Sequence, residues 1–136
     1  MIKDIIKTDL KKITLEKGSV YHGVKKSDIG FKNFGELYFS EIYLNQIKAW
    51  KRHTSMTLNL IVPYGNVLFV FIDTNEELRK EIIGEIQYVR LTVPPGIWFG
   101  FKGLHSPYSL VTNVADIEHK AEEVERKPIE AFSFNW

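Results

Sequence analysis

The sequence of 136 residues has no cysteine, almost no net charge and no long hydrophobic run. Without cysteine, the chain cannot form disulfides, thiolate metal sites or a cysteine nucleophile. Its formal net charge of +1 argues against a nucleic-acid or membrane-surface partner, because such binding normally needs a basic excess. No apolar run approaches the roughly 20 residues of a membrane span, and residues 1–15 carry charges too often for a signal peptide. We therefore expect a cytoplasmic protein.

Helical signals are scarce, and most of the chain is typical of β-strands. With 44% hydrophobic and 26% charged residues, 136 residues suit one folded domain, 1–136. We predict a short helix around 76–80, a solvated charged segment over 118–127 and an edge strand or arm within 1–15. Runs of β-branched and aromatic residues between turn signals predict strands over 35–44, 46–62 (with a bulge near Ala49), 67–73, 87–93, 97–101 and 110–116. Such spacing predicts an all-β sandwich or barrel.

The most informative stretch is 47–65, where a strand pattern carries three cations and a histidine. For a strand that begins at Lys51, alternation puts polar side chains on one face: Lys51, His53, Ser55, Thr57 and Asn59. Burying such groups without partners costs about 1–3 kcal/mol each. In a small all-β protein, this face is therefore a candidate binding pocket.

Several motifs in this order resemble one family. They are KAWKRH at 48–53, VLFVFID at 67–73, VPPGIWFGF at 93–101, ADIEH at 115–119 and FSFNW at 132–136. Together they resemble the short cupins similar to dTDP-4-dehydrorhamnose 3,5-epimerase, which are related to the sugar 3,4-ketoisomerases. The resemblance implies a cupin-type jelly roll with little helix that acts on a nucleoside-diphosphate 4-keto-6-deoxyhexose in surface polysaccharide biosynthesis. It also implies a homodimer, to which the N-terminal strands (about 1–44) contribute, and no metal or other cofactor.

The chain departs from the family pattern at the catalytic motifs. Lys51 stands where the epimerases carry their basic histidine, whereas His53 matches the second histidine of the ketoisomerases. Phe99 replaces a later histidine, and the segment 115–118 has no counterpart of the family's tyrosine acid. A metal site is not expected, because the region of Lys51 supplies only one of two paired histidine ligands.

Chemistry beside a ketone requires a base for the α-proton and a group that stabilises the enolate. His53 is the candidate base, since histidine with an unperturbed pKa of about 6.5 is largely neutral at physiological pH. Lys51 would lower that pKa and stabilise the enolate. The predicted substrate-binding residues are Lys17, Lys48 and Arg90 for the diphosphate, Trp50, Tyr88 and Trp98 for flat rings, and Thr57 and Asn59 on the polar face.

Each of these residues also has a structural interpretation. His53 could be a structural histidine, Lys51 a surface residue that protects an edge strand, Arg90 an ion-pair partner and Trp98 a core residue. Three classes of function therefore remain. They are an isomerase or epimerase of a nucleotide-linked keto sugar, a non-catalytic sugar-nucleotide-binding or scaffold subunit, and a jelly-roll lyase or hydrolase.

Overall fold

The computed structural model describes residues 1–136 and consists of strands, loops and three single-turn 3-10 helices. The helical turns span Ile2–Asp4, Ala121–Glu123 and Ile129–Ala131. None of them has the length and apolar character needed to cross a membrane. The strands are β1 (Ile6–Asp9), β2 (Lys12–Ile13), β3 (Val20–Tyr21), β4 (Glu36–Tyr43), β5 (Ile47–His53), β6 (Leu58–Tyr64), β7 (Asn66–Ile72), β8 (Leu78–Gly84), β9 (Val89–Val93), β10 (Trp98–Gly103), β11 (Tyr108–Ala115) and β12 (Val124–Arg126).

Ten of these strands form two five-stranded antiparallel sheets. Sheet I has the order β1-β9-β6-β11-β4, and sheet II has the order β12-β5-β10-β7-β8. The remaining strands, β2 and β3, pair as a small hairpin in the N-terminal arm. This arrangement confirms the predicted all-β jelly roll.

The main core lies between the two sheets and follows from strict alternation along the strands. Alternate residues Leu58, Leu60 and Val62 of β6 face alternate residues of β7, which include Phe69 and Phe71, in one buried cluster. Full burial of such a side chain stabilises the fold by about 1.5–3 kcal/mol relative to exposure. The core therefore fixes which face of each strand points inward.

The predicted single strand over 46–62 is wrong, because the chain leaves sheet II after His53 and enters sheet I at Leu58. The intervening backbone is bonded to side chains and loops instead of a neighbouring strand: the N–H of Thr54 donates to the Glu123 carbonyl (2.9 Å) and that of Thr57 to Asp116 Oδ1 (2.8 Å). As a result, Thr57 and Asn59 do not continue the face that carries Lys51 and His53. The predicted bulge near Ala49 is confirmed by a register shift against β10.

Two other local predictions also fail. The predicted helix around 76–80 is wrong, because residues from Leu78 onward pair with β7 along the whole of β8. The chain reaches that strand through a turn at Asp73, whose Oδ1 accepts the N–H groups of Asn75 (2.9 Å) and Glu77 (3.1 Å). The charged segment 118–127 is not uniformly solvated, since Glu123 is buried and β12 pairs with β5. Strand pairing outweighs local propensity in both segments, with the neighbouring strand β7 in the first and with the distant strand β5 in the second.

Arg90 of β9 ties a long loop to the outer face of sheet I. Its side chain is fully buried and donates to Asn59 Oδ1 (3.1 Å), to the carbonyls of Gly23 (2.9 Å) and Ile29 (3.0 Å), and to Asp28 Oδ2 (3.3 Å). A planar guanidinium satisfies several acceptors at once, which a lysine could not do. Arg90 therefore holds the loop 22–31 in place.

Replacing Arg90 by methionine should lower the free energy of unfolding by about 3 kcal/mol or more, because buried acceptors lose their donor. Urea denaturation followed by tryptophan fluorescence measures this loss. The control is Arg52→Met, which breaks a partly exposed ion pair with Glu125 and a cation–π contact with Trp98, and which should cost at most about 2 kcal/mol. Equal losses in the two variants would contradict a special role for Arg90.

Candidate active site

A cavity of about 330 Å³ opens between the two sheets. Its walls combine aromatic and aliphatic side chains with a few polar and cationic groups, as is usual for a small-molecule site. The residues that line it are Tyr38, Ser40, Lys48, Ala49, Trp50, Lys51, Leu58, Leu60, Phe69, Phe99, Phe101, Val111, Asn113, Arg126 and Lys127. No aspartate or glutamate is among them, so the cavity favours anions.

His53 lies beside this cavity, at the end of β5, and forms a buried pair with Glu123. The imidazole is 4% exposed and stacks against the cavity residue Phe99, with 6.0 Å between the ring centroids. Its Nδ1 is hydrogen-bonded to Glu123 Oε1, and the other carboxylate oxygen accepts the N–H groups of Ser55 (3.1 Å) and Met56 (3.2 Å). The carboxylate thus fixes the position and orientation of the imidazole.

The electrostatics of the pair favour a neutral histidine and an ionised glutamate. Burial lowers the pKa of His53, the hydrogen bond to Glu123 opposes that effect, and the Lys51 cation lowers the pKa further, as predicted. Burial works to raise the pKa of the Glu123 carboxyl, but hydrogen bonds from His53 and the backbone outweigh it, and the net pKa is lowered.

In that state Nδ1–H donates to the carboxylate, and Nε2 carries the lone pair. Nε2 has no hydrogen-bond partner within the protein. It is not fully enclosed either, since the only enclosed side-chain N and O atoms without a partner are Thr112 Oγ1 and Trp136 Nε1. The imidazole therefore presents a free lone pair, which is what a general base needs.

Lys51 lies two residues before His53 on the same face of β5 and lines the cavity. It is half-buried, and burial together with the nearby cations Arg126 and Lys48 lowers the pKa of its amine. The positive charge of Lys51 is thus unfavourable in the cavity, and either a bound anion or loss of the proton would remove this unfavourable interaction.

Tyr38 supplies a hydroxyl from the opposite wall, on β4. It pairs across the sheet with Asn113 of β11, whose Nδ2 donates to the phenol oxygen at 2.8 Å. The amide is itself oriented by the backbone N–H of Asn59, which donates to its Oδ1 at 3.0 Å. Burial raises the pKa of Tyr38, so the phenol keeps its proton at neutral pH and can donate it to a ligand.

The other cationic side chains at the cavity differ in their contacts within the protein. Lys48 Nζ donates to the carbonyl of Glu41 at 2.7 Å, whereas the ammonium of Lys127 lies 4.7 Å from the ring centroid of Trp98. Arg126, on the short strand β12, has no ion pair with an acidic residue and pairs across the sheet with Lys51. These positions place positive charge at one side of the cavity.

The structure brings together some of the predicted site residues and separates the rest. Lys48, Trp50 and Lys51 line the cavity, and His53 adjoins it. The predicted residues that do not line it are Lys17, Thr57, Asn59, Tyr88, Arg90 and Trp98.

Most of those residues have other contacts. Arg90 and Asn59 anchor the loop 22–31, and the Tyr88 ring lies 5.5 Å from that of Tyr21. Trp98 joins Trp50 in a second buried cluster on the outer face of sheet II, which the C-terminal segment covers.

Sequence reasoning missed Tyr38, Asn113, Glu123 and Arg126. The only local signal was alternation in β4, where Tyr38 and Ser40 face inward and Leu37 and Phe39 face outward. No group of three or more His, Asp or Glu side chains converges in a way that could hold a metal ion.

Comparison with known proteins finds relatives that cover between 63% and 95% of this chain. No family model matches the sequence. A dTDP sugar isomerase from Desulfovibrio desulfuricans is 35% identical in sequence, with a TM-score of 0.90 over 95% of this chain and 87% of the isomerase. A probable low-salt glycan biosynthesis epimerase from Haloferax volcanii is 30% identical over a 97-residue alignment, and the match covers 63% of this chain and 62% of that protein. The chain thus matches less than two thirds of that protein's length.

A more distant structure shares the fold. The sugar 3,4-ketoisomerase QdtA from Thermoanaerobacterium thermosaccharolyticum, crystallised with TDP, superposes with a TM-score of 0.79 at 17% identity, over 93% of this chain and 90% of the ketoisomerase. A variant of the same ketoisomerase was crystallised with TDP-4-keto-6-deoxyglucose.

The pKa and the tautomer of His53 can be tested without a substrate. An NMR titration of the imidazole signals should give His53 a pKa below its ordinary 6.5, with the proton of the neutral ring on Nδ1. Glu123→Gln should lower that pKa further, because it removes the carboxylate that favours the imidazolium. The control is Glu122→Gln, an exposed neighbour, which should leave it unchanged. A rise of the His53 pKa in Glu123→Gln would contradict this assignment.

Proposed function

Because this chain belongs to the family of cupins similar to dTDP-4-dehydrorhamnose 3,5-epimerase and related to the sugar 3,4-ketoisomerases, we propose that it is an isomerase or epimerase of a nucleotide-linked 4-keto-6-deoxyhexose. The observation that carries this proposal is one cationic cavity with an acid in its wall and a base beside it, stacked on the lining residue Phe99. His53, held by Glu123, is the base, and Tyr38, held by Asn113, is the acid. A sugar of this kind would serve surface polysaccharide or other glycan biosynthesis.

The cations at the cavity support a nucleoside diphosphate as the handle of the substrate. Lys48 and Arg126 line the cavity without an acidic partner, and cations pair well with phosphate oxygens. The aromatic and aliphatic residues deeper in the cavity, such as Phe69 and Phe101, would contact the faces of the hexose. Of the three cations predicted from the sequence to contact the diphosphate, only Lys48 is at the cavity.

The reaction follows from these positions. Nε2 of His53 removes the proton from the carbon beside the ketone, and Glu123 stabilises the imidazolium that forms. The developing negative charge on the ketone oxygen is stabilised by the cationic wall and by the O–H of Tyr38. Return of a proton to a different carbon gives an isomer, whereas return to the opposite face of the same carbon gives an epimer.

The buried pair also favours catalysis over the alternative of a sugar-nucleotide-binding or scaffold subunit. Binding a sugar nucleotide requires cations and flat apolar surfaces, and the cavity has both. It does not require an ionised carboxylate, 6% exposed, that holds a neutral histidine in one tautomer. Such a pair is an arrangement for moving a proton.

We expect the protein to introduce deuterium beside the ketone when it is incubated with dTDP-4-keto-6-deoxyglucose in D₂O, as followed by NMR of the sugar. His53→Asn and Tyr38→Phe should each slow formation of the rearranged sugar about 10²–10⁴-fold, because a positioned base or acid contributes that much. His53→Asn should abolish the exchange itself. Binding of TDP should change little in either variant.

The matched control is His22→Asn, at an exposed histidine that is not among the residues lining the cavity. It should keep full activity. If the parent binds the sugar nucleotide but never exchanges the proton, the non-catalytic alternative replaces this proposal.

We further propose that the protein is a homodimer, with the outer face of β4 and β11 against the second copy. Leu37, Phe39 and Tyr43 alternate along β4 and are 45%, 59% and 61% exposed. The neighbouring Thr112 hydroxyl is buried without a hydrogen-bond partner. An apolar strip of this kind on an edge strand is normally covered by another chain or element. The strip lies on β4, within the region 1–44 that is expected from the sequence to contribute to the dimer.

Sedimentation should therefore give a mass of about twice 15.8 kDa at micromolar concentration. Phe39→Glu should shift the protein toward the monomer, because it places a charge in the apolar strip. The control is Ile86→Glu, at a residue that is 75% exposed in the turn after β8 and should leave the dimer intact. A monomeric parent would contradict the proposal.

A further inference from the structure

Lys51 differs from the other lysines of the cavity because nothing in the protein neutralises or binds its amine. Lys48 donates to a backbone carbonyl, and Lys127 lies over Trp98. The groups that shift the pKa of Lys51 are burial first, then Arg126, then Lys48, with no hydrogen bond or acid among them. Burial and the neighbouring cations therefore lower the pKa of Lys51 and ease the loss of a proton from its ammonium.

A free amine in a cationic, half-buried site is a nucleophile toward carbonyl carbon. A lysine kept as an ammonium would instead act only as a point charge for an anion. Lys51 stands on the same strand face as His53, about 7 Å along the chain for two residues of a strand. A carbonyl carbon bonded to its amine would hold the adjacent C–H near the imidazole.

We propose that Lys51 forms a Schiff base with the ketone of the sugar substrate, so that the protonated imine draws electrons from the C–H bond that His53 breaks. This inference rests on the proposed function, since it needs a keto sugar in the cavity. It gives the lysine a covalent role in place of the electrostatic one expected from the sequence.

The steps balance without any further reagent. The amine lone pair of Lys51 attacks the ketone carbon, and the resulting carbinolamine takes up one proton and loses water to give the protonated imine. His53 Nε2 then removes the α-proton, the C–H electron pair becomes the C=C bond of an enamine, and the imine π pair moves to nitrogen. Reprotonation at carbon restores the protonated imine, and one water molecule hydrolyses it to ketone and free amine with release of one proton.

The protonated imine would also explain why the cavity tolerates a lysine between two other cations. Loss of a proton frees the amine for attack, and the imine nitrogen carries its positive charge only when the substrate is bound. The diphosphate of the substrate then compensates the charges of Arg126 and Lys48. Electron withdrawal by the imine is strongest at the moment when His53 removes the proton.

Borohydride trapping tests the proposal directly. The whole protein is incubated with dTDP-4-keto-6-deoxyglucose and sodium borohydride, and intact mass and peptide mapping locate any adduct. We expect one adduct, with the mass of the substrate minus water plus two hydrogens, on Lys51. The substrate analogue dTDP-glucose, which has no ketone, should give none. Lys102→Arg, on the opposite face of the same sheet, should still give the adduct on Lys51.

The variant Lys51→Arg separates covalent from electrostatic action, since it keeps the positive charge but cannot form the imine. It should lose the adduct and slow deuterium exchange at least about 100-fold, while TDP binding stays within a few fold. Exchange by the parent without any adduct, an adduct on another lysine, or full exchange by Lys51→Arg would each overturn the Schiff base and leave the proposed function standing. Absence of both exchange and adduct in the parent would overturn the two together.

Discussion

The Glu123 carboxylate is the interaction on which the site depends. One oxygen binds His53 Nδ1, the other accepts the amides of Ser55 and Met56, and the Glu123 carbonyl accepts the amide of Thr54. The same residue therefore ends β5, satisfies the backbone where the chain passes from one sheet to the other, and holds the imidazole in one tautomer. Fold and chemistry are coupled here, because a buried carboxylate is tolerated only when its oxygens are bonded.

The strand β5 carries this coupling through its two faces. Its inner face presents Lys51 to the cavity and His53 to Glu123, while its outer face buries Trp50 against Phe132 and Trp136 of the C-terminal segment. The close approach of β10 requires glycine at position 100, where a Cβ would lie 2.6 Å from that of Ala49. The cluster on the outer face thus fixes the strand that positions the candidate catalytic groups.

The sequence was sufficient for the fold class and most strands, and it singled out His53 and Lys51 as candidates, because alternation and turn residues are local signals. It could not find Glu123, since that residue is 70 positions from His53 and nothing near it distinguishes it from the other acidic residues of a charged segment. It also extended one strand through Thr57 and Asn59, because the break there is imposed by Glu123 and Asp116 and not by a proline or glycine.

The roles of basic residues are also hard to predict from the sequence, because they depend on contacts between distant segments. Position beside a motif suggested a ligand role for Arg90, yet its burial depends on the loop 22–31, which no local pattern joins to β9. Arg126 is at the cavity because β12 pairs with β5, although its sequence surroundings are those of a solvated segment. Long-range pairing decides which charges face a ligand.

The central claim is that one cavity places the carbon beside a sugar ketone against His53. A crystal structure of the His53→Asn variant with TDP-4-keto-6-deoxyglucose tests it most directly, because the variant keeps the cavity and halts the reaction. We expect the diphosphate at Lys48 and Arg126, and the ketone carbon, free or bonded to the Lys51 amine, between Lys51 and Tyr38. The adjacent carbon should lie within about 4 Å of the side chain at position 53, near the separation of reacting atoms. A hexose bound outside the cavity, or with its ketone directed away from both Lys51 and Tyr38, would contradict it.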